Sequence, residues 1–201
     1  NGSMSASLRG FVDRVDRWVN ADVIYYRVVD YKTGKKAFDY CDIYNGVGLQ
    51  MLLYMFALRE DGKELLGENA VPVGVQYFPA RAPYLLTDGV LSDNEAAAKR
   101  DTEWKRKGLL LNDDAVLEAM EPCESPKRSF IRDKSGAPVG NIADREQFRN
   151  LEKFVFDLLS KIVEDIASGN VEPNPYTRGN SHNACTFCLY GSICHESLVE
   201  G

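Results

Sequence analysis

Two acids and a base at strand spacing are the first residues of this chain that could do chemistry. Asp30 and Lys32 close the run Val28-Val29-Asp30-Tyr31-Lys32. Residues two apart on an extended strand share a face, so a carboxylate and an ammonium point the same way. Upstream, Gly10-Phe11-Val12-Asp13-Arg14-Val15-Asp16 reads as a partner strand with a second carboxylate, and Asn20-Ala21-Asp22 supplies turn residues for a hairpin. Downstream, Gln50 and Tyr54 stand four apart in a helical pattern and share a face. A divalent ion prefers hard oxygen ligands and needs few protein carboxylates when phosphate and water complete its shell. Asp13 and Asp30 are therefore candidate ligands for Mg2+, with Mn2+ as a substitute. Lys32 is suited to orienting an attacking water and neutralising charge on a phosphorane, and Gln50 and Tyr54 to holding a substrate strand. The chemistry is metal-dependent phosphodiester hydrolysis.

Several elements must position these groups. A first strand is expected from Leu8 to Val19, with Phe11, Asp13 and Val15 on one face and Val12, Arg14 and Asp16 on the other. Only one of Asp13 and Asp16 can face the metal; Asp16 reads as a strand residue paired with Arg14, Arg17 or a neighbouring lysine. The β-branched and aromatic run from Val23 to Lys32 predicts a central strand. A helix is expected from Tyr44 to Arg59, with Leu49, Leu52, Leu53 and Phe56 on its apolar face and Asp61-Gly62 as its stop.

A third strand is expected from Val71 to Phe78. It is followed by a solvated, mixed-charge helix within 92–107 and a helix capped by Asn112 or Asp113 that runs through Met120. A hairpin around Lys134-Ser135-Gly136 lies in the most basic stretch, with Lys127, Arg128, Arg132 and Lys134 as weak DNA-contact candidates. A long helix from Asp144 to Ser168, stopped by Gly169-Asn170, is expected to pack on the core through Phe148, Leu151, Val155, Leu158, Leu159, Ile162, Val163 and Ile166.

With 201 residues and 44% hydrophobic content, the chain can form one compact domain with a tail. A formal charge of -6 argues against a protein that coats nucleic acid through a broad basic face. No apolar run reaches membrane-span length and no secretion signal is visible, so a cytoplasmic location without membrane contact is expected. Asn1-Gly2-Ser3-Met4 reads as vector-derived residue, and an earlier natural start is expected.

The five cysteines are Cys41, Cys123, Cys185, Cys188 and Cys194, an odd number with three bunched near the end. That distribution does not suit a secreted disulfide framework. Cys185-x2-Cys188-x5-Cys194 offers three soft ligands that suit one face of an iron-sulfur cluster. Zinc is the rival, with His182 or His195 completing a Cys3His set.

These motifs resemble the RecB-type branch of the PD-(D/E)XK nucleases. The pattern G-x-x-D, then D-x-K, then Q-x-x-x-Y stands at Gly10 to Asp13, Asp30 to Lys32 and Gln50 to Tyr54. The resemblance implies an α/β fold, a restriction-endonuclease-like mixed central sheet flanked by helices, with a C-terminal cysteine-rich tail, and it selects Asp13 over Asp16 as the metal ligand. The tail, with Asn174-Pro175-Tyr176 ahead of Cys185 and Cys188, is similar to that of the cluster-bearing branch. There three such cysteines and one upstream cysteine hold a [4Fe-4S] cluster.

Gly74-Val75-Gln76-Tyr77-Phe78-Pro79 and Gly108-Leu109-Leu110-Leu111 extend the likeness to the nuclease domains of B subunits of AddAB-type ATP-dependent helicase-nucleases. That likeness implies a core at 5–172, a cysteine-rich tail at 173–201, the A subunit of such a helicase-nuclease as partner, and cleavage of one unwound DNA strand during double-strand break processing. No Walker A motif occurs, so a motor is expected outside this chain. The helix and first cysteine that the branch places before strand one are expected to be missing, which predicts a fragment weak in catalysis and free of cluster. A stand-alone CRISPR-associated RecB-like exonuclease and a non-catalytic, cluster-stabilised DNA-end-binding scaffold are the alternatives.

Overall fold

The computed structural model describes residues 5–81, 84–122, 125–178, 182–191 and 193–194. The expected vector residues 1–4, Cys123 and His195 lie outside them. The elements in order are β1 (Arg14–Asn20), β2 (Val23–Lys32), α1 (Tyr40–Tyr44), α2 (Gln50–Asp61), α3 (Lys63–Leu66), β3 (Ala70–Pro79), α4 (Asp93–Glu103) and β4 (Lys107–Leu111). There follow α5 (Asp114–Met120), β5 (Phe130–Arg132), β6 (Pro138–Gly140), β7 (Ile142–Ala143), α6 (Arg145–Ala167), β8 (Thr177–Arg178), β9 (His182–Asn183) and a 3-10 turn at Ala184–Phe187. The chain divides into two compact units, residues 7–159 and residues 1–6 with 160–201.

The first unit is built on a mixed sheet in the order β1-β2-β3-β4-β7. β1 and β2 form an antiparallel hairpin, β2 and β3 run parallel, β3 and β4 antiparallel, and β4 and β7 parallel. The parallel step needs a crossover, and α1 to α3 supply it. Tyr26, Val28, Val75, Leu109 and Leu111 face α2, where Met51, Leu52, Met55 and Phe56 complete a buried cluster. The Tyr26 hydroxyl reaches through to donate to the Met55 carbonyl at 2.7 Å. Leu110, Leu117 and Phe130 form a smaller cluster on the other face.

The second strand spans the expected residues, whereas two neighbouring boundaries move. β1 begins at Arg14, not Leu8, because Asp13 interrupts the ladder: its Oδ2 accepts the Tyr31 amide at 3.1 Å, a donor otherwise free for backbone pairing. The helix expected from Tyr44 becomes α1 and α2, because Gly46 and Gly48 adopt φ of 78° and 74° and break the run before Gln50. Ser92 caps α4 in a reciprocal box with Glu95, and no α4 residue is buried. Asp113 caps α5, and β5 and β6 form the expected hairpin. In α6, Phe148 and Val155 are buried and Leu151 and Leu158 pack beside them, while Ile162 and Ile166 are exposed, so only part of the expected apolar stripe is used. In the second unit, β8 and β9 form a short antiparallel ladder ahead of the 3-10 turn.

The β1–β2 turn carries a local cost. Ala21 has a φ of 50°, a region in which a Cβ is unfavourable and glycine is not. Ala21→Gly is expected to raise stability by about 1 kcal/mol. A higher denaturation midpoint at unchanged m-value checks this.

Candidate active site

The first and second motifs meet across the hairpin. The ladder ends where Arg14 pairs with Val29, and Asp13, one residue before it, reaches β2 through its carboxylate, which accepts the amide of Tyr31, the neighbour of Asp30, at 3.1 Å. Asp30 is 8% exposed, and Lys32, two residues on, places its Nζ 2.6 Å from Asp30 Oδ2. Beyond this ion pair, the buried Oδ2 has no hydrogen-bond partner among the described residues. A buried carboxylate oxygen whose one partner is an ammonium keeps lone-pair capacity that a hard divalent cation can take. Asp13 is exposed and brings a second carboxylate, so the donor set fits Mg2+ or Mn2+. Tyr77 pairs with Asp30 in the β2–β3 register, and burial together with the Asp30 charge pushes its phenol up to about 12.

The third motif is tied to the first. Gln50 Nε2 donates to the Tyr54 hydroxyl at 2.9 Å, and the Tyr54 ring lies so close over Gly10 that a Cβ there would overlap it. The glycine of G-x-x-D and the tyrosine of Q-x-x-x-Y are therefore one packing contact. Among the described residues no hydrogen bond joins Gln50 or Tyr54 to Asp13, Asp30 or Lys32.

The profile of the PD-(D/E)XK nuclease superfamily matches residues 2–195. The chain belongs to that superfamily. It is 34% identical over 97% of its length to the B subunit of the ATP-dependent helicase/deoxyribonuclease of Clostridium tetani, 32% over 96% to that of Oceanobacillus iheyensis, and 33% over 95% to that of Bacillus anthracis. The chain spans 17% of the length of these relatives. Its five-stranded mixed sheet with flanking helices is the restriction-endonuclease-like architecture expected of a PD-(D/E)XK nuclease.

Behind the acids, on the opposite face of this nuclease sheet, lies a polar network that the sequence did not disclose. Asp16 pairs across the strands with Arg27, accepting from Nε at 3.0 Å and Nη2 at 2.8 Å, and it also receives Arg14. Arg27 Nη1 donates to Gln76, whose Nε2 donates to Ser129 Oγ at 3.0 Å. Ser129 donates to Glu121, a fully buried carboxylate paired with Arg106 at 3.0 Å. The guanidinium carbons of Arg14, Arg27 and Arg106 stand 5.7, 5.4 and 4.6 Å from the centre of the Phe78 ring. Arg17, an expected partner of Asp16, takes no part in these bonds. Cross-strand pairing could have suggested Arg27, but Gln76, Glu121 and Ser129 are too distant in sequence for any local signal.

In the tail, Cys185 and Cys194 are half-buried and Cys188 is exposed, and none of the three is in a disulfide. The Cys188 amide donates to the Cys185 carbonyl at 3.1 Å and that of Cys194 to Tyr190 at 2.8 Å, so a succession of turns carries them. Among the described residues no three His, Cys, Asp or Glu side chains converge on a metal-sized site. The thiols as placed do not form a cluster cradle.

Burial pushes the Asp16 carboxyl upward, but the hydrogen bonds and charges of Arg14 and Arg27 outweigh it and hold its pKa below the usual range. A depressed carboxyl contributes stability that is present above its unfolded pKa of about 3.9 and is lost as pH falls through the folded value. Asp16→Asn is expected to cost about 3 kcal/mol at neutral pH, chiefly by leaving the Arg27 guanidinium, 5% exposed, without its counter-charge. The gap between the two proteins should close below about pH 4 in urea melts.

Proposed function

We propose that this chain is a Mg2+-dependent DNA exonuclease module of a helicase-nuclease, cleaving one unwound strand by phosphodiester hydrolysis during double-strand break repair. The observation that carries this reading is the buried Asp30 carboxylate, ion-paired to Lys32 alone and next to the Tyr31 amide that Asp13 accepts, in a PD-(D/E)XK chain. Asp13 and Asp30 would hold the ion, which supplies Lewis acidity to the phosphodiester when bound. Lys32, half-buried against Asp30, orients the attacking water and offsets negative charge as it builds on the phosphate oxygens. A lysine serves here because its ammonium is a compact point charge. Gln50 and Tyr54, linked to each other, are the candidates to hold the substrate strand.

The relatives are named for the B subunit of an ATP-dependent helicase/deoxyribonuclease, which supports a DNA substrate and a second polypeptide that carries motor activity, here proposed as the A subunit of a helicase-nuclease. Among the described residues no helix is long and apolar enough to cross a membrane. A cytoplasmic site of action belongs to the same reading.

In the helicase-nuclease complex, Asp30→Ala should abolish degradation of one strand and leave unwinding at its original rate, read by strand-specific end labels. Continued degradation of that strand would refute the assignment of Asp30.

The spacing Cys185-x2-Cys188-x5-Cys194 supports a structural [4Fe-4S] cluster in the full-length protein, with a fourth cysteine from elsewhere. The full-length protein, purified anaerobically, is expected to contain about four iron atoms per chain. Zinc in place of iron would overturn the cluster.

A further inference from the structure

The face that carries Asp13 and Asp30 does not end with them. The strand registers continue the same lateral row: Asp30 pairs with Tyr77 on β3, and Tyr77 pairs with Lys107 on β4. Paired residues on neighbouring strands project to the same side, so three side chains cross the sheet in line, Asp30, Tyr77 and Lys107, with Asp13 just off the end of β1 beside Tyr31. The two new members each end in a polar group that the fold leaves unused. The Tyr77 ring is buried in the core, whereas its hydroxyl is not among the buried unpartnered atoms and makes no hydrogen bond among the described residues, so it is open to a ligand. Lys107 is the exposed first residue of a strand whose other four positions are buried, and its ammonium has no ion pair among the described residues.

The surroundings are of mixed charge. Tyr77 also lines a small cleft with Lys36, Phe38, Asp39, Asp42 and Gly48. Asp39 uses its carboxylate to cap α1, accepting from the Cys41 and Asp42 amides. A neutral phenol donor followed by a lysine, one strand spacing of about 4.8 Å apart, matches a phosphate that lies beside the one at the acids. We infer that this row is a substrate track: the Tyr77 hydroxyl and the Lys107 ammonium bind the phosphodiester adjacent to the scissile one on a single strand of DNA. The inference rests on the hydrolytic reading for where the scissile phosphate lies, but binding tests it separately from turnover.

The purified chain is titrated with a short fluorescein-labelled oligothymidylate in Ca2+ over a series of salt concentrations, with the oligonucleotide checked for intactness afterwards. Tyr77→Phe removes one hydroxyl and should weaken binding about tenfold at every salt concentration, with the thermal midpoint unchanged, because a hydroxyl that bonds nothing in the fold adds nothing to folding. Lys107→Gln should also weaken binding and make the log Kd against log salt slope shallower by about 0.7, the value for one phosphate contact on a single strand. Lys107→Arg should retain the slope.

Wild-type affinity in either Tyr77→Phe or Lys107→Gln overturns the row, as does absence of binding by the unaltered chain at low salt. A Tyr77→Phe protein that melts lower while binding normally assigns the hydroxyl to folding and overturns it too. Should Asp30→Ala in the complex still degrade its strand while these variants lose binding, the hydrolytic assignment falls and the track stands.

Discussion

The arrangement of the site depends on the register of one hairpin. β1 is an edge strand, and a slip of one residue against β2 would turn every side chain to the other face. Asp13 would then leave Asp30 and join the wrong side of the sheet. The Asp16–Arg27 pair opposes such a slip: Arg27 is 5% exposed and already committed to Gln76, so a shifted Asp16 would leave a buried guanidinium uncompensated. The three-residue step from Asp13 to Asp16 puts the second acid on the opposite face, where it can fix the register without competing for a cation.

The two faces of the sheet divide the work. Toward α2 the strands present valines and leucines until their last residues, and the charged groups Asp30 and Lys32 appear only where the apolar cluster ends. On the other face the apolar cluster is small, and buried polar side chains fill the remaining space as a hydrogen-bonded chain. Gly108 makes room for that chain: it stands opposite Gln76, and a Cβ there would run into the β3 backbone. Such a network is costly if half made, so the bonds from Arg27 through Gln76 and Ser129 to Glu121 hold β2, β3 and the segment after α5 as one block.

What was legible in the sequence follows from the range of the interactions involved. β2 ran over the expected residues because its alternation of β-branched and aromatic side chains is local and complete. The starts of β1 and α2 moved because an aspartate side chain replaced a ladder bond and two glycines took positive φ, choices set by tertiary fit. Asp13, Asp30 and Lys32 were legible as a group because strand parity is a local rule, and Gln50 with Tyr54 because helix spacing is. Tyr77 and Lys107 were not, because nothing within their own segments sets them apart. Only the pairing of β3 with both β2 and β4 brings them into the row of the acids.

Charge sets the last constraint. The chain carries a net charge of -6, and Asp13 and Asp30 repel a polyanion further. Exposed charges are screened beyond about 8 Å at physiological ionic strength, so attraction for a phosphate backbone has to come from cations within that distance of its path. Lys32 answers the charge of Asp30 directly at 2.6 Å, which leaves its net field on an approaching strand small. The second-face arginines are bound to Asp16 and Glu121 and cannot serve the first face. On the proposed reading, grip therefore depends on a bound divalent ion and on lysines of the first face that have no carboxylate partner. Lys107 meets that condition among the described residues, and a few local cations in place of a broad basic face suit a module that receives its strand from a motor.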